Sequence, residues 1–190
     1  TAGEQLRITG AIRRFFASLP GATLDNHYGP SEAHVVTVER LAGDPTAWPE
    51  LPSIGRPVTN ARVLVLDPEM RPAPIGVPGE IHVGGDVLAR GYVGRADLTA
   101  DRFVPDPSGS GSRLYRTGDR GAVAEDGRIA FLGRADRQVK IRGYRVEPAE
   151  IEAAIARLPG VRAVAVDVRA PRGSAPRLVA WIVPGEEGAF

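Results

Sequence analysis

Residues 138–160 read QVKIRGYRVEPAEIEAAIARLPG, and they decide how the chain is divided. The first part of this stretch alternates in the way that a pair of β-strands does. The second part predicts a helix, because Pro148 stands near its first turn, acidic residues lie at its positive end and Gly160 follows its last turn. The pattern of apolar and polar residues changes after Arg134, just before this stretch, so we predict a domain boundary near Asp136.

The rest of the chain predicts an α/β protein of two domains on either side of that boundary. Two apolar strands follow the helix and complete a strand–helix–strand–strand unit, which makes 136–190 a small α+β domain. Upstream, Gly and Pro pairs separate short periodic segments. The elements predicted there are a helix over 4–19, strands over 23–27, 61–66 and 80–83, a hairpin over 121–132 and irregular, Pro-rich chain over 40–60.

Composition excludes several classes of function. The chain has 190 residues, 43% of them hydrophobic, and a net charge of +1, which is ordinary for a soluble globular protein and predicts no attraction to nucleic acid or membrane. Cysteine is absent, which excludes disulfides, cysteine-based zinc sites and a cysteine nucleophile, and suits the cytoplasm. The three histidines show no metal-ligand spacing. Lys140 is the only lysine among 24 basic residues.

Residues 26–32, NHYGPSE, pack several kinds of binding group into one turn. Tyr28 can stack on a flat heterocycle, and the Gly-Pro pair turns the chain sharply behind it. The Ser31 hydroxyl suits a phosphate oxygen, and the Glu32 carboxylate suits Mg²⁺. These residues describe either a site for a nucleoside triphosphate with magnesium or a surface turn with incidental polar residues.

Further motifs favour the first interpretation. They are SIGRPVTNARVLVLD at 53–67, GEIHVGGDVLARGY at 79–92, YRTGD at 115–119, FLGR at 131–134 and GRADRQVKIRGYRVEPAEIE at 133–152. With NHYGPSE, and in this order, they resemble the later core motifs of the adenylation domains of nonribosomal peptide synthetases. Those domains belong to the adenylate-forming superfamily, with acyl-CoA ligases and luciferases. The resemblance covers essentially the whole chain and is specific, because several long strings match in order.

The resemblance implies a role for each matching position. Tyr28 would lie against adenine, Glu32 would bind Mg²⁺, and Ser31 would contact phosphate where the family usually has threonine. Asp119 would accept hydrogen bonds from both ribose hydroxyls, although an aspartate after glycine is by itself more typical of a turn. The other implied positions are Gly3 beside the adenine pocket, Phe131 near the sugar, Arg134 at the ribose or phosphate, and Ala2, His27, Val35 and Val36 in the amino-acid pocket.

The resemblance also implies a reaction in two steps. An amino acid and ATP give an aminoacyl adenylate and pyrophosphate, and the phosphopantetheine thiol of a peptidyl carrier protein then takes the aminoacyl group. Asp136 matches the hinge about which the small domain rotates between the steps, and Lys140 lies in the loop that enters the site for thioester formation. A neighbouring condensation domain is implied as well.

The same resemblance divides the architecture into two parts. Residues 1–135 would be the distal part of the large subdomain, an α/β layer followed by a small β-barrel-like section over 54–132. Residues 136–190 would begin the mobile subdomain. The family's glycine-rich phosphate loop and terminal lysine motif are not in this sequence, so we expect this polypeptide alone to be inactive. The sequence does not identify the amino acid.

Two alternatives remain open. The first is an acyl- or aryl-acid-CoA ligase of the same superfamily. Those enzymes more often lack the proline of YGPSE and carry a different hinge loop, so the motifs favour the synthetase. The second is a non-catalytic scaffold that has kept the fold. The charged residues Glu32, Asp119, Arg134 and Lys140 argue against a decayed site.

Overall fold

The computed structural model describes residues 5–109, 111–136, 138–141, 144–169 and 177–185, without the side chains of residues 140, 144 and 145. Its contacts divide the chain into two compact units, Thr1–Ala135 and Asp136–Phe190. Both combine helices with β-sheet, and the α/β class predicted from the sequence is confirmed. None of the helices in the described ranges is long and apolar enough to cross a membrane.

The first unit contains two helices, one 3₁₀ turn and eight strands in its described residues. In chain order they are α1 (Gly10–Ala17), β1 (Leu24–Tyr28), β2 (Thr37–Leu41), the 3₁₀ turn Pro45–Ala47, β3 (Arg56–Pro57), β4 (Ala61–Leu66), β5 (Gly79–Gly85), α2 (Ala96–Arg102), β6 (Phe103–Pro105), β7 (Arg113–Val123) and β8 (Ile129–Arg134).

These strands form two antiparallel sheets. Strands β1, β2 and β3 make a three-stranded sheet in that order. The larger sheet has the order β4-β5-β7-β6, and β8 also pairs with β7. The register between β5 and β7 shifts by a bulge, since His82 lies opposite Arg116 whereas Glu80 lies opposite Arg120. The long strand β7 therefore changes direction in its middle, where the YRTGD motif lies.

Three apolar clusters lie in the described residues of the first unit, and Tyr28 packs against two of them. Alternate side chains of β4, β5 and β7 face these clusters, as the period of a strand requires. The first cluster is built on Ala33, Val36, Val83, Phe103 and Tyr115, and the second on Ile54, Val65, Ile81 and Ile129. The end of β1 is thus fixed by packing on both sides, and the turn that follows it starts from a rigid position.

The first helix is shorter than the sequence predicts. It covers Gly10–Ala17 and not 4–19, because Thr9 caps it by accepting a hydrogen bond from the Ile12 amide at 3.3 Å. Before the cap, Ile8 is buried with Leu41 and Trp48, and its amide donates to the Glu50 carbonyl at 2.8 Å. This tertiary contact keeps the preceding residues out of the helix, so the predicted boundary is wrong.

Other elements of the first unit were not predicted. They are β2, β3, α2, β6, the first half of β7 and the 3₁₀ turn, and β3 and this turn lie in the stretch 40–60 that was predicted to be irregular. The strand over 61–66 appears with the predicted bounds. The predicted strand over 80–83 extends to Gly79–Gly85, and that over 23–27 lies one residue later. Helix α2 has no buried residue, so no apolar periodicity marks it.

The second unit follows the predicted order of elements. Its described elements are β9 (Val139–Ile141), β10 (Tyr144–Val146), α3 (Pro148–Ile155), β11 (Val161–Arg169) and β12 (Arg177–Pro184). The β9–β10 and β11–β12 pairs are each antiparallel. Helix α3 is joined to β11 by the Glu152 carboxylate, which accepts a hydrogen bond from the Val166 amide at 2.8 Å.

Candidate functional site

The bulge in β7 is held by contacts from neighbouring chain segments. Gly118 takes a φ of 73°, a conformation that favours glycine. Its amide donates to the Glu80 carboxylate at 3.1 Å, and its carbonyl accepts from the Ala135 amide at 2.8 Å. These bonds replace the strand pairing that the bulge interrupts, so the residue after Gly118 has a defined orientation.

That residue is Asp119, and its carboxylate joins three strands. One oxygen, Oδ2, accepts from the Tyr28 hydroxyl at 2.6 Å, and the other, Oδ1, accepts from Arg134 Nη1 at 2.7 Å. Asp119 is only 7% exposed, so its charge lies in a partly dry environment beside a guanidinium group. The structure therefore brings together three of the residues that the sequence motifs predict.

Thr117 also belongs to this cluster, although the sequence analysis did not single it out. Its hydroxyl donates to the Ile81 carbonyl at 2.6 Å and accepts from the Asp119 amide at 2.9 Å. Its own carbonyl accepts from Arg134 Nη2 at 3.1 Å. The residue lies within the YRTGD string, which was the signal that could have found it.

The Tyr28 side chain contributes an aromatic face and a phenol held in its protonated form. Its ring lies 6.0 Å from the ring of Phe131, centroid to centroid, with the planes inclined at 45°. Burial raises the pKa of the Tyr28 phenol well above its ordinary value, and the charge of Asp119 acts in the same direction. The phenol is therefore a hydrogen-bond donor to Asp119 at neutral pH.

The turn after Tyr28 is fixed by its backbone. The Val36 amide donates to the Tyr28 carbonyl at 2.8 Å and closes the loop. Gly29 has no room for a side chain, since a Cβ there would overlap the His34 carbonyl group. His34 takes a φ of 57°, which is uncommon for a residue other than glycine. Ser31 lies exposed within the turn.

Glu32, at the other end of the turn, is held by tyrosines. It is 8% exposed, and its Oε1 accepts from the Tyr92 hydroxyl at 2.6 Å. The Tyr92 hydroxyl lies 3.3 Å from that of Tyr115, and the Glu32 carbonyl accepts from the Ala89 amide at 2.8 Å. Burial, followed by hydrogen bonds with Tyr92 and Glu32, raises the pKa of the Tyr115 phenol. The sequence analysis missed both tyrosines, although GEIHVGGDVLARGY and YRTGD contain them.

The predicted amino-acid pocket is described only in part. His27 and Val35 are half-buried, and Val36 is fully buried in the first apolar cluster. Ala2 and Gly3 lie outside the described residues. The assignment of these positions to a pocket stays a prediction.

The two residues predicted in the second unit are Asp136 and Lys140. Asp136 is exposed, and its Oδ1 accepts from the Gln138 amide at 3.2 Å. The backbone of Lys140 pairs with Arg145 in the β9–β10 hairpin. The side chain of Lys140 lies outside the described part of the chain, so its role stays a prediction.

Two of the predicted site residues, Asp119 and Glu32, are buried carboxylates, and their chemistry limits what they can bind. A carboxylate accepts up to about four hydrogen bonds, so a side chain of the type of Asp119 is suited to hydroxyl donors. Glu32 offers an oxygen ligand of the type that hard divalent cations bind. Across the described ranges, no group of three or more His, Asp or Glu side chains could hold a metal ion.

Comparison with known proteins identifies the family. The family profile described as AMP-binding enzyme matches residues 2–93. Phosphinothricin tripeptide synthetase PhsB of Streptomyces viridochromogenes is 50% identical over 190 residues, which cover 98% of this chain and 16% of that protein. The crystal structure of IdnL1 matches with a TM-score of 0.85 and 32% identity, over 100% of this chain and 38% of that one.

A second solved structure agrees with the first. PA1221, described as a nonribosomal peptide synthetase protein with adenylation and PCP domains, matches with a TM-score of 0.83 and 32% identity. The match covers 100% of this chain and 38% of PA1221. The chain thus spans a minor part of each relative's length. It belongs to the AMP-binding enzymes, as part of an adenylation domain of the kind found in nonribosomal peptide synthetases.

Proposed function

We propose that this chain is part of a domain that activates an amino acid with ATP and passes it to the phosphopantetheine thiol of a carrier protein. The observation that carries the proposal is the convergence of Tyr28 and Arg134 on the carboxylate of Asp119. Residues from three separate strands meet there, and two of their charges lie in a mostly buried setting. Such a costly arrangement of charges is more typical of a binding site than of a surface.

In this proposal the cluster binds the nucleoside part of ATP. The Tyr28 ring stacks on adenine, and Phe131 supports that ring from beside it near the sugar. Asp119 accepts hydrogen bonds from the ribose hydroxyls, and Arg134 reaches the ribose or a phosphate. The exposed hydroxyl of Ser31 is suited to a phosphate oxygen.

Glu32 is the residue that would hold Mg²⁺. The fit rests on donor chemistry, because Mg²⁺ prefers carboxylate oxygens and usually takes one or two of them together with water and substrate phosphates. Bound Mg²⁺ supplies positive charge that stabilises the phosphate oxygens during phosphoryl chemistry. The Tyr92 hydroxyl keeps Glu32 oriented through the bond at 2.6 Å.

The proposed reaction has two balanced steps. A carboxylate oxygen of the amino acid forms a bond to the α-phosphorus of ATP, the bond to the bridging oxygen breaks, and pyrophosphate leaves. The carrier thiol, losing its proton, then forms a C–S bond to the carbonyl carbon, and AMP leaves as the C–O bond breaks. Asp136 is proposed as the hinge between the steps, which the division of contacts between Ala135 and Asp136 supports. Lys140 is proposed to act in the second step.

The relatives support the proposed substrate and partners. PhsB is named a tripeptide synthetase, and PA1221 is described as carrying adenylation and PCP domains. We therefore propose an amino acid as the substrate, a peptidyl carrier protein as the acceptor and a condensation domain as a neighbour. Ala2, His27, Val35 and Val36 are proposed to line part of the amino-acid pocket.

The test is ATP–pyrophosphate exchange by the full-length protein that contains this chain. A panel of amino acids is compared with fatty and aryl acids, and exchange with at least one amino acid is expected. Exchange with only the other acids would assign the protein to the acyl- or aryl-acid-CoA ligases. Calorimetric titration with Mg·ATP addresses the scaffold alternative, because a scaffold without the chemistry would show no binding. The Asp119→Asn variant should lose both signals, and circular dichroism checks that the variant is still folded when they are measured.

A further inference from the structure

Thr117 is not proposed to contact the nucleotide itself, but its hydrogen bonds hold residues of the proposed nucleotide site. It is 2% exposed, so its side chain reaches no solvent-facing ligand directly. It contacts two of the residues proposed to bind the nucleoside, Asp119 and Arg134. We propose that Thr117 is a positioning residue that fixes the Asp119 carboxylate for recognition of the ribose hydroxyls. This inference rests on the proposed function.

The hydroxyl of Thr117 connects Asp119 to the centre of the sheet. It donates its only hydrogen to the Ile81 carbonyl in β5 at 2.6 Å, so an oxygen lone pair is left to accept from the Asp119 amide at 2.9 Å. Ile81 is completely buried and belongs to the second apolar cluster. The backbone of Asp119 is therefore tied to one of the most deeply buried positions of the unit.

The same residue also orients the cation of the site. The Thr117 carbonyl accepts from Arg134 Nη2 at 3.1 Å, while Arg134 Nη1 donates to Asp119 Oδ1 at 2.7 Å. The guanidinium is thereby fixed at two nitrogens, by a backbone group and by the carboxylate. A shift of Thr117 would move both charged partners together.

The bulge in β7 explains why a side chain is needed for this task. Between the pairs His82–Arg116 and Glu80–Arg120 the ladder of β5 and β7 is shifted, and a bulge leaves backbone groups without their regular strand partners. The Thr117 hydroxyl supplies the partner for the Asp119 amide, and the Glu80 carboxylate supplies that of Gly118. A serine could make the same bonds, whereas a valine of similar shape could make neither.

The experiment measures how well the full-length protein distinguishes ATP from 2′-deoxy-ATP and 3′-deoxy-ATP. Dissociation constants are determined by calorimetry for the wild type, Thr117→Val and Thr117→Ser. The wild type should bind ATP about tenfold more tightly than either deoxy analogue, because each lacks a hydrogen bond to a charged group. In Thr117→Val this ratio should fall to about two, while Thr117→Ser should keep the ratio of the wild type.

The ratio separates positioning from general destabilisation. A variant that is merely less stable loses affinity for all three nucleotides alike, and its ratio does not change. Ser53→Ala is the matched control, since it removes a part-buried hydroxyl that donates to Glu39 at 2.6 Å outside the cluster. It should retain the full ratio. If Thr117→Val does not fold, Thr117→Ala gives the same test, because its smaller side chain admits water to the two backbone groups.

The outcomes also separate this inference from the proposed function. A wild type that binds no ATP overturns the proposed function itself. If the wild type binds ATP and the deoxy analogues equally, the proposed contact between Asp119 and the ribose hydroxyls is wrong. The proposed role of Thr117 is then wrong as well. A wild type that discriminates, with Thr117→Val discriminating equally well, leaves the proposed function standing and overturns the inference alone.

Discussion

The two carboxylates of the site, Asp119 and Glu32, are buried to a similar degree but have different partners. Asp119 is 7% exposed and contacts the guanidinium of Arg134 as well as the phenol of Tyr28. Glu32 is 8% exposed and accepts from the phenol of Tyr92. Among the contacts that the structure describes, Asp119 has a guanidinium partner and Glu32 has a phenol partner.

This difference agrees with the two kinds of ligand proposed for these residues. A guanidinium balances most of the carboxylate charge, so Asp119 suits neutral hydroxyl donors such as those of a sugar. A phenol orients a carboxylate without cancelling its charge, so Glu32 suits a cation. Removing the charge of Asp119 should therefore mainly lower the stability of the fold. Removing the charge of Glu32 should mainly lower metal-dependent activity.

The largest effect is expected on stability, from Asp119→Asn. The substitution leaves Arg134, whose side chain is 18% exposed, without its carboxylate in a mostly buried position. Breaking a buried ion pair in this way lowers the free energy of unfolding by about 3 kcal/mol. Urea unfolding monitored by circular dichroism measures the change.

The control is Asp126→Asn in the turn between β7 and β8. Asp126 pairs with Arg128 at 2.6 Å, but both side chains are about half exposed, at 45% and 49%. Exposed pairs contribute little to stability because water and salt screen them, so this variant should be nearly as stable as the wild type. Equal losses in the two variants would contradict the view that burial makes the Asp119–Arg134 pair important for folding.

The next largest effect is expected on activity, from Glu32→Gln. The amide retains an oxygen that can accept from Tyr92, so the unfolding free energy should change by less than about 1 kcal/mol. The negative charge is lost, however, and amino-acid-dependent pyrophosphate exchange in Mg²⁺ should fall by about 100-fold, which corresponds to roughly 2.7 kcal/mol of transition-state stabilisation. A variant with full exchange activity would remove Glu32 from the metal site.

The sequence predicts much of the fold where periodicity is local. The strand over 61–66 is found because its apolar run ends at Asp67-Pro68. Helix α3 is found from Pro148 at its start, but it ends at Ile155, so the predicted end before Gly160 is wrong. Strand β2 and helix α2 are missed for physical reasons. TVERL carries charges within a half-buried strand, and α2 has seven residues, none of them buried and with no side-chain cap.

The site shows a similar limit. Tyr28, Asp119 and Arg134 can be named from motifs, but the bond between Tyr28 and Asp119 joins residues 91 positions apart. It depends on the packing of β1 against two apolar clusters and on the bulge in β7, neither of which a local pattern encodes. The Tyr92–Glu32 bond spans 60 positions, and Thr117 gains its role only from the bulge.

A smaller effect is expected from Tyr92→Phe. This variant removes one hydrogen bond from Glu32 but leaves its charge, so the affinity for Mn·ATP should fall by about fivefold, or roughly 1 kcal/mol. Electron paramagnetic resonance of bound Mn²⁺ in the full-length protein measures the affinity. Tyr115→Phe should have a smaller effect, since the bond from Tyr92 to Glu32 at 2.6 Å is kept in that variant. An effect of Tyr115→Phe that exceeds that of Tyr92→Phe would contradict the assigned role.

The smallest effect concerns the phenol proton that Tyr28 donates in its hydrogen bond to Asp119. Burial raises the pKa of the Tyr28 phenol in the folded state, so the folded protein keeps this proton to a higher pH than the unfolded chain does. The stability from the phenol is therefore complete below the unfolded-state pKa of about 10 and decreases as the pH rises above it. At pH 8, Tyr28→Phe should be less stable than the wild type by about 1 kcal/mol, because it lacks the hydrogen bond to Asp119. Urea unfolding of both proteins is measured at pH 8, 9.5 and 10.5, and the difference in unfolding free energy should be smallest at pH 10.5. A constant or growing difference would mean that the phenol is not held in its protonated form beside Asp119.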